Sequence, residues 1–96
     1  MYARVVTVQI QPGRMDEVIS IFRDSIKPAS NQQKGNKGGY FLTDPKSGKA
    51  ISIALWETEA DMTAGESSDY LRQQIAKVAS AFAAPPTTEH YEVSVE

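Results

Sequence analysis

Gly38-Gly39-Tyr40-Phe41-Leu42-Thr43-Asp44-Pro45-Lys46-Ser47-Gly48-Lys49-Ala50-Ile51-Ser52-Ile53-Ala54-Leu55-Trp56-Glu57 is the stretch on which the fold turns. Tyr40, Phe41 and Leu42 give Gly38 to Thr43 the aromatic and branched character of a strand. Asp44-Pro45-Lys46-Ser47-Gly48 holds the residue types of a tight connection. Lys49 to Glu57 then returns as a second strand, antiparallel to the first. In this return strand Ile51, Ile53 and Leu55 point to one side, and Ala50, Ser52, Ala54 and Trp56 to the other. A sheet covered by helices on one face only is normally polar on the other. Neither face is polar here, so both need a cover. Helices can supply one, and a second copy of the chain is the simplest second.

Upstream, Tyr2 to Gln11 alternates and carries Val5, Val6, Thr7, Val8 and Ile10, which predicts a strand closed by a Pro12-Gly13 turn. Asp16 and Glu17 then place negative charge where the first turn of a helix favours it. Met15, Val18, Ile19, Phe22 and Ile26 recur on one helical face. Lys27-Pro28 is expected to end that helix, because the residue before a proline is pushed out of the α region. Ala29 to Lys37, polar and rich in Asn and Gln, reads as a loop.

Downstream, Thr58-Glu59-Ala60-Asp61 has the form of a capping box, so a helix should begin there. Gly65 is expected to interrupt it, with Ser67 or Ser68 capping a restart. Leu71, Ile75, Val78, Ala79 and Phe82 supply its buried stripe, and Pro85-Pro86 stops it. Thr87 to Glu96 alternates as a final strand with one wet face. The order strand, helix, two strands, helix, strand predicts one α+β domain over residues 1–96. Its architecture is a ferredoxin-like βαββαβ unit, a four-stranded antiparallel sheet with two helices on one face.

Composition narrows the function. Ninety-six residues hold one modest core, and a small core with apolar surface to spare favours pairing with a second copy. Ten basic and twelve acidic residues leave a net charge of −2, which is no footprint for nucleic acid. Lys34, Lys37, Lys46 and Lys49 lie in or beside turns and read as a solvated loop cluster. The absence of cysteine excludes disulfides, thiolate metal sites and cysteine nucleophiles. The chain carries no leader pattern at its start and no apolar run long enough to span a bilayer, so a cytoplasmic protein without membrane partners is expected. No phosphate loop, paired-histidine metal spacing or serine nucleophile elbow occurs, and no metal is expected.

Several segments together resemble the dimeric α+β-barrel superfamily, in particular the antibiotic biosynthesis monooxygenase-like domains. They are the first strand ending in Pro12-Gly13, the helix with Asp16 and Glu17, and Gly38-Gly39-Tyr40. Leu55-Trp56-Glu57 followed by Thr58-Glu59-Ala60, and the closing Tyr91-Glu92-Val93, complete the set. The resemblance implies a homodimer in which two sheets face one another as a barrel. It also implies that a strand tryptophan, matched here by Trp56, works with an asparagine on the first strand and a histidine on the following helix. No asparagine precedes Asn31, and that helical stretch has Glu66 near where the histidine would fall. Haem ligation by the usual residue is therefore unsupported; an oxygenase that draws on the substrate's own electron-rich ring, with no cofactor, stays open, while the missing asparagine and histidine favour a non-catalytic dimer.

The candidate residues each carry a second, plainer reading. Trp56, beside small Ala50, Ser52 and Ala54, is either one wall of a pocket with Tyr40 or ordinary core. Glu66 and Tyr70, one turn apart, could bind or deprotonate a hydroxylated aromatic substrate; alternatively they are an exposed acid and a core tyrosine. Arg4 shares a face with Val6 and Val8, and is expected to pair with Glu92 or Glu96 unless it holds a ligand anion. His90, the lone histidine, is a candidate for proton transfer beside Glu92, or is simply solvated. The catalytic set is thus Trp56, Glu66 and Tyr70, with Arg4, Tyr40, Ser52 and His90 binding substrate. Two functions follow: a small-molecule-binding domain, acting as a cofactor-independent monooxygenase on a hydroxylated aromatic, or a non-catalytic dimer of the stress-responsive kind with a filled pocket.

Overall fold

A computed structural model describes residues 1–96. Strand β1 (Tyr2–Gln9) lies at the centre, hydrogen-bonded to β3 (Lys49–Trp56) on one side and β4 (Thr87–Glu92) on the other; β2 (Asn36–Asp44) completes the sheet beyond β3. Every pairing is antiparallel and the order is β2-β3-β1-β4, as the ferredoxin-like reading requires. The hairpin connection is held by Asp44, whose carboxylate accepts the Lys46 amide at 3.0 Å and the Ser47 hydroxyl at 3.0 Å. No helix is long and apolar enough to cross a membrane.

The first helical unit is α1 (Met15–Ile21), a wider π turn (Phe22–Ile26) and α2 (Lys27–Asn31). Lys27-Pro28 therefore does not end the helix. The π turn shifts the hydrogen-bond ladder, so Pro28 falls in the first turn of α2, where a missing N–H leaves nothing unsatisfied. The expected loop at Ala29 shrinks accordingly. Val18 and Ile26 of the predicted stripe are buried, and Phe22 stacks on Phe41 of β2 with ring centroids 4.3 Å apart.

The second unit begins where the capping box placed it. The Thr58 hydroxyl accepts the Asp61 amide at 3.1 Å, and α3 runs Glu59–Ser67. Gly65 does not interrupt α3; it lies buried within it. The break falls at Asp69, which has a left-handed φ of 65° and precedes α4 (Tyr70–Ala76). The helix also stops short of Phe82, which is extended and whose neighbourhood bridges to Ile10 after a 3-10 turn (Ala79–Ala81). The last strand ends at Glu92 rather than Glu96: its final pair is Glu92 with Tyr2, and one further bond, from the Val93 N–H to the Met1 carbonyl at 2.9 Å, follows it. It is an edge strand, exposed at every position rather than on one face.

The core lies between sheet and helices: Val6, Val8 and Ala50 from the sheet meet Val18, Ile26 and Val78 from the helical side. The opposite sheet face bears Val5, Ile51, Ile53 and Leu55, flanked by Tyr40 at 66% exposure and Leu42 at 48%. That is an uncovered apolar face on a chain with a small core.

Candidate functional site

Strand alternation puts Arg4, Val6, Ser52 and Ala54 under the helices, because Arg4 pairs with Ala54 and Val6 with Ser52. Ala54 and its cross-strand partner Gly39 put little side chain into this part of the sheet. A cleft of about 50 Å³ results, reached by Arg4, Lys27, Tyr40, Ser52, Tyr70 and Gln74 among others. Beside it lies a cavity of about 70 Å³ between Val8, Val18, Phe22, Phe41, Val78 and Phe82, and Ser52 and Gln74 border both.

Arg4 is the centre of the polar end. It is only 3% exposed, and its guanidinium lies 5.1 Å from the centre of the Trp56 ring. Nη1 donates to the Met62 carbonyl at 3.2 Å and to Glu66 Oε1 at 3.5 Å. The same carboxylate oxygen meets His90 Nε2 at 2.6 Å. Burial lowers the Arg4 pKa and Glu66 works against that shift. The predicted partners Glu92 and Glu96 are not used: β4 stays at the open edge, whereas α3 brings Glu66 directly over the sheet face that bears Arg4.

Tyr70 opens α4 with its hydroxyl buried and without a hydrogen-bond partner. Burial raises its pKa, while the nearby Ser30 hydroxyl and Arg4 charge pull the other way. Glu66 and Tyr70 lie on either side of the Asp69 break rather than along one helix face. Gly65 sits against three of these side chains: a Cβ there would lie 3.7 Å from Arg4 Nη1, 3.7 Å from Trp56 and 3.7 Å from Tyr70.

The structure thus gathers Arg4, Ser52 and Tyr70 around one cleft, with Tyr40 at its rim. Trp56 is completely buried behind Arg4 and does not line the cleft, and its indole N–H has no partner. Glu66 and His90 face a separate outer groove shared with Tyr2, Glu59 and Glu92. Two cleft residues escaped the sequence reading. Gln74, 8% exposed, lies one turn after Tyr70 and shares a helix face with it, a spacing that could have flagged it. Lys27, whose Nζ donates to the Gly39 carbonyl at 3.0 Å, was hidden by its apparent role as a helix end.

A ferredoxin-like sheet roofed by two broken helical units, with a cleft between them, defines a small-molecule-binding fold. The chain belongs to the antibiotic biosynthesis monooxygenase family, which it matches over residues 1–77. An uncharacterized protein of Mycobacterium tuberculosis is 32% identical over 98% of this chain, which spans 41% of that relative's length. Among solved structures, a candidate antibiotic biosynthesis monooxygenase from Nitrosomonas europaea superposes with a TM-score of 0.79 at 20% identity, covering 99% of this chain and 100% of that one. A Streptomyces coelicolor monooxygenase crystallised with nanaomycin D gives 0.79 at 13% identity, covering 99% and 88%. At these identities the structural likeness speaks to fold.

Proposed function

We propose that this domain binds a small hydroxylated aromatic in the cleft between sheet and helices, and that it oxidises this ligand with dioxygen as a homodimer. The observation that carries the reading is the cleft itself. A buried arginine and an unpartnered phenol stand with Lys27, Ser30, Ser52 and Gln74 among aliphatic and aromatic side chains, a few polar groups in an apolar lining as in ligand sites. An electron-rich ring with a CH2 position can supply its own electrons. One oxygen atom becomes the ring carbonyl, and the other leaves as water with both hydrogens of that carbon. In this scheme Arg4, Ser52 and Tyr70 contact substrate, with Tyr40 at the entrance. Trp56, Glu66 and His90 act through Arg4 as positioning residues. The catalytic contact is therefore assigned to Tyr70 rather than to Trp56.

The small volumes, about 50 and 70 Å³, favour a second reading. Ligand sites usually measure roughly 300–1,000 Å³. A cleft that stays this size is filled by side chains, and the protein would be a non-catalytic dimer. A thermal-shift and Trp56-fluorescence screen of phenols, quinols, flavins and haem separates the two, followed by oxygen-consumption assays on responding classes. A dose-dependent response from hydroxylated aromatics with oxygen uptake is expected. Silence from every class would retire the catalytic reading.

A further inference from the structure

We infer that the ligand of this cleft is an organic anion, one oxyanion on a planar apolar body, and that Arg4 and Lys27 select it by charge. The inference rests on the ligand-binding reading above and names its substrate class.

The lining is electrically one-sided. Arg4 and Lys27 are the only charged residues that border the polar cleft, and no carboxylate does. Glu66, the acid nearest Arg4, faces the outer groove instead. Both hydrogen bonds of Arg4 use Nη1, so Nε and Nη2 retain donors although the residue is 97% buried. Neither is a buried atom left without a partner, so each can exchange water for a ligand oxygen. An oxyanion would take up these free donors, and charge-assisted bonds of this type are the strong ones. The Tyr70 hydroxyl, also unpartnered and bordering the same space, can donate to the same oxygen.

Lys27 borders the same cleft. Its ammonium spends one donor on the Gly39 carbonyl at 3.0 Å and keeps two more. The neighbouring cavity, which shares Ser52 and Gln74 with the cleft, is otherwise bordered by aliphatic and aromatic side chains. Head and body of the ligand are thereby assigned: acidic oxygen toward Arg4, apolar rings toward Phe22 and Phe41. A neutral isostere would leave the arginine unsatisfied, the kind of mismatch that gives strong discrimination.

A matched pair of probes tests this on the full chain by calorimetric titration at pH 7: 2-hydroxy-1,4-naphthoquinone, an anion there, and its neutral 2-methoxy counterpart. The anion should bind at least about tenfold more tightly. Arg4→Gln should abolish that preference, and Lys27→Met should reduce it. Equal affinity of the wild type for both probes, or a preference that survives both substitutions, overturns charge selection alone. Failure of both probes to bind the wild type overturns the ligand-binding reading and this inference with it. Because the wild-type comparison and Lys27→Met need no change in the core, the test holds even if Arg4→Gln does not fold.

Discussion

The Arg4 guanidinium is held 5.1 Å from the Trp56 ring centre, each residue on a neighbouring central strand and each almost wholly buried. The indole is thus the floor on which the one buried cation rests, and a cation over an aromatic face is attracted by its quadrupole. Trp56→Ala would remove both a large buried side chain and that floor. Destabilisation of about 3–5 kcal/mol is expected, with a smaller loss for Trp56→Phe, which keeps a ring under Arg4. Urea unfolding followed by far-ultraviolet circular dichroism measures both. An alanine variant as stable as wild type would show that the ring does not carry the packing assigned to it.

Gly65 offers a sharper separation of stability from function. Its position inside α3 leaves room for a methyl group at ordinary contact distance from Arg4, Trp56 and Tyr70, each 3.7 Å away. Gly65→Ala should therefore stabilise the helix by up to about 1 kcal/mol, because alanine loses less backbone freedom than glycine. Gly39→Ala should do the opposite. Its Cβ would strike the Ile53 carbonyl, a backbone atom that cannot move aside without breaking the β2–β3 pairing. Thermal melts of the two variants should shift in opposite directions.

Tyr70 carries an alkaline signature. Burial raises its pKa, with Ser30 and Arg4 the nearby groups that moderate the shift. The unfolded chain ionises this phenol at about pH 10, while the folded chain still resists. Its contribution to stability is thus fully present below about pH 10 and is lost as pH rises through the higher folded value. Tyr70→Phe should flatten the fall in stability above that pH. At neutral pH it should be neutral or mildly stabilising, since it deletes a buried hydroxyl that lacks a partner. Denaturant midpoints at pH 7 and on either side of pH 10 give the comparison; a variant with the wild-type alkaline slope would remove Tyr70 as its source.

How far these features could be read in advance depended on the range of the interaction. The hairpin was legible because Asp44 to Gly48 encodes its own turn, and Thr58 announced α3 because its cap bonds only three residues away. Lys27-Pro28 misled because the π turn at Phe22–Ile26 resets the ladder before the proline, and no local pattern marks such a turn. Gly65 misled for a similar reason: packing over Trp56 outweighs its weak helix propensity. Alternation alone placed Arg4 on the covered face, but its partner did not follow from it. Glu66 is 62 positions away and reaches Arg4 only through the way α3 crosses the sheet. Trp56 was recognised as special, yet burial behind Arg4 is a tertiary fact.

The open sheet face yields the last prediction. Ile53 pairs with Val5 on one side and Tyr40 on the other, and all three belong to the apolar surface that no helix covers. A face-to-face homodimer would bury this patch and complete the core that a chain of this size leaves unfinished. Light scattering coupled to size exclusion should report a dimer for the wild type. Ile53→Glu would place an unpaired carboxylate at the centre of that interface, which truncation and charge data price at several kcal/mol. The dimer should weaken by about 100-fold or more, while circular dichroism of the monomer remains that of a folded α+β domain, since Ile53 points away from the internal core. A dimer that persists in Ile53→Glu would place the contact elsewhere, and a wild type that runs as a monomer would remove the partner subunit as the cover for this face.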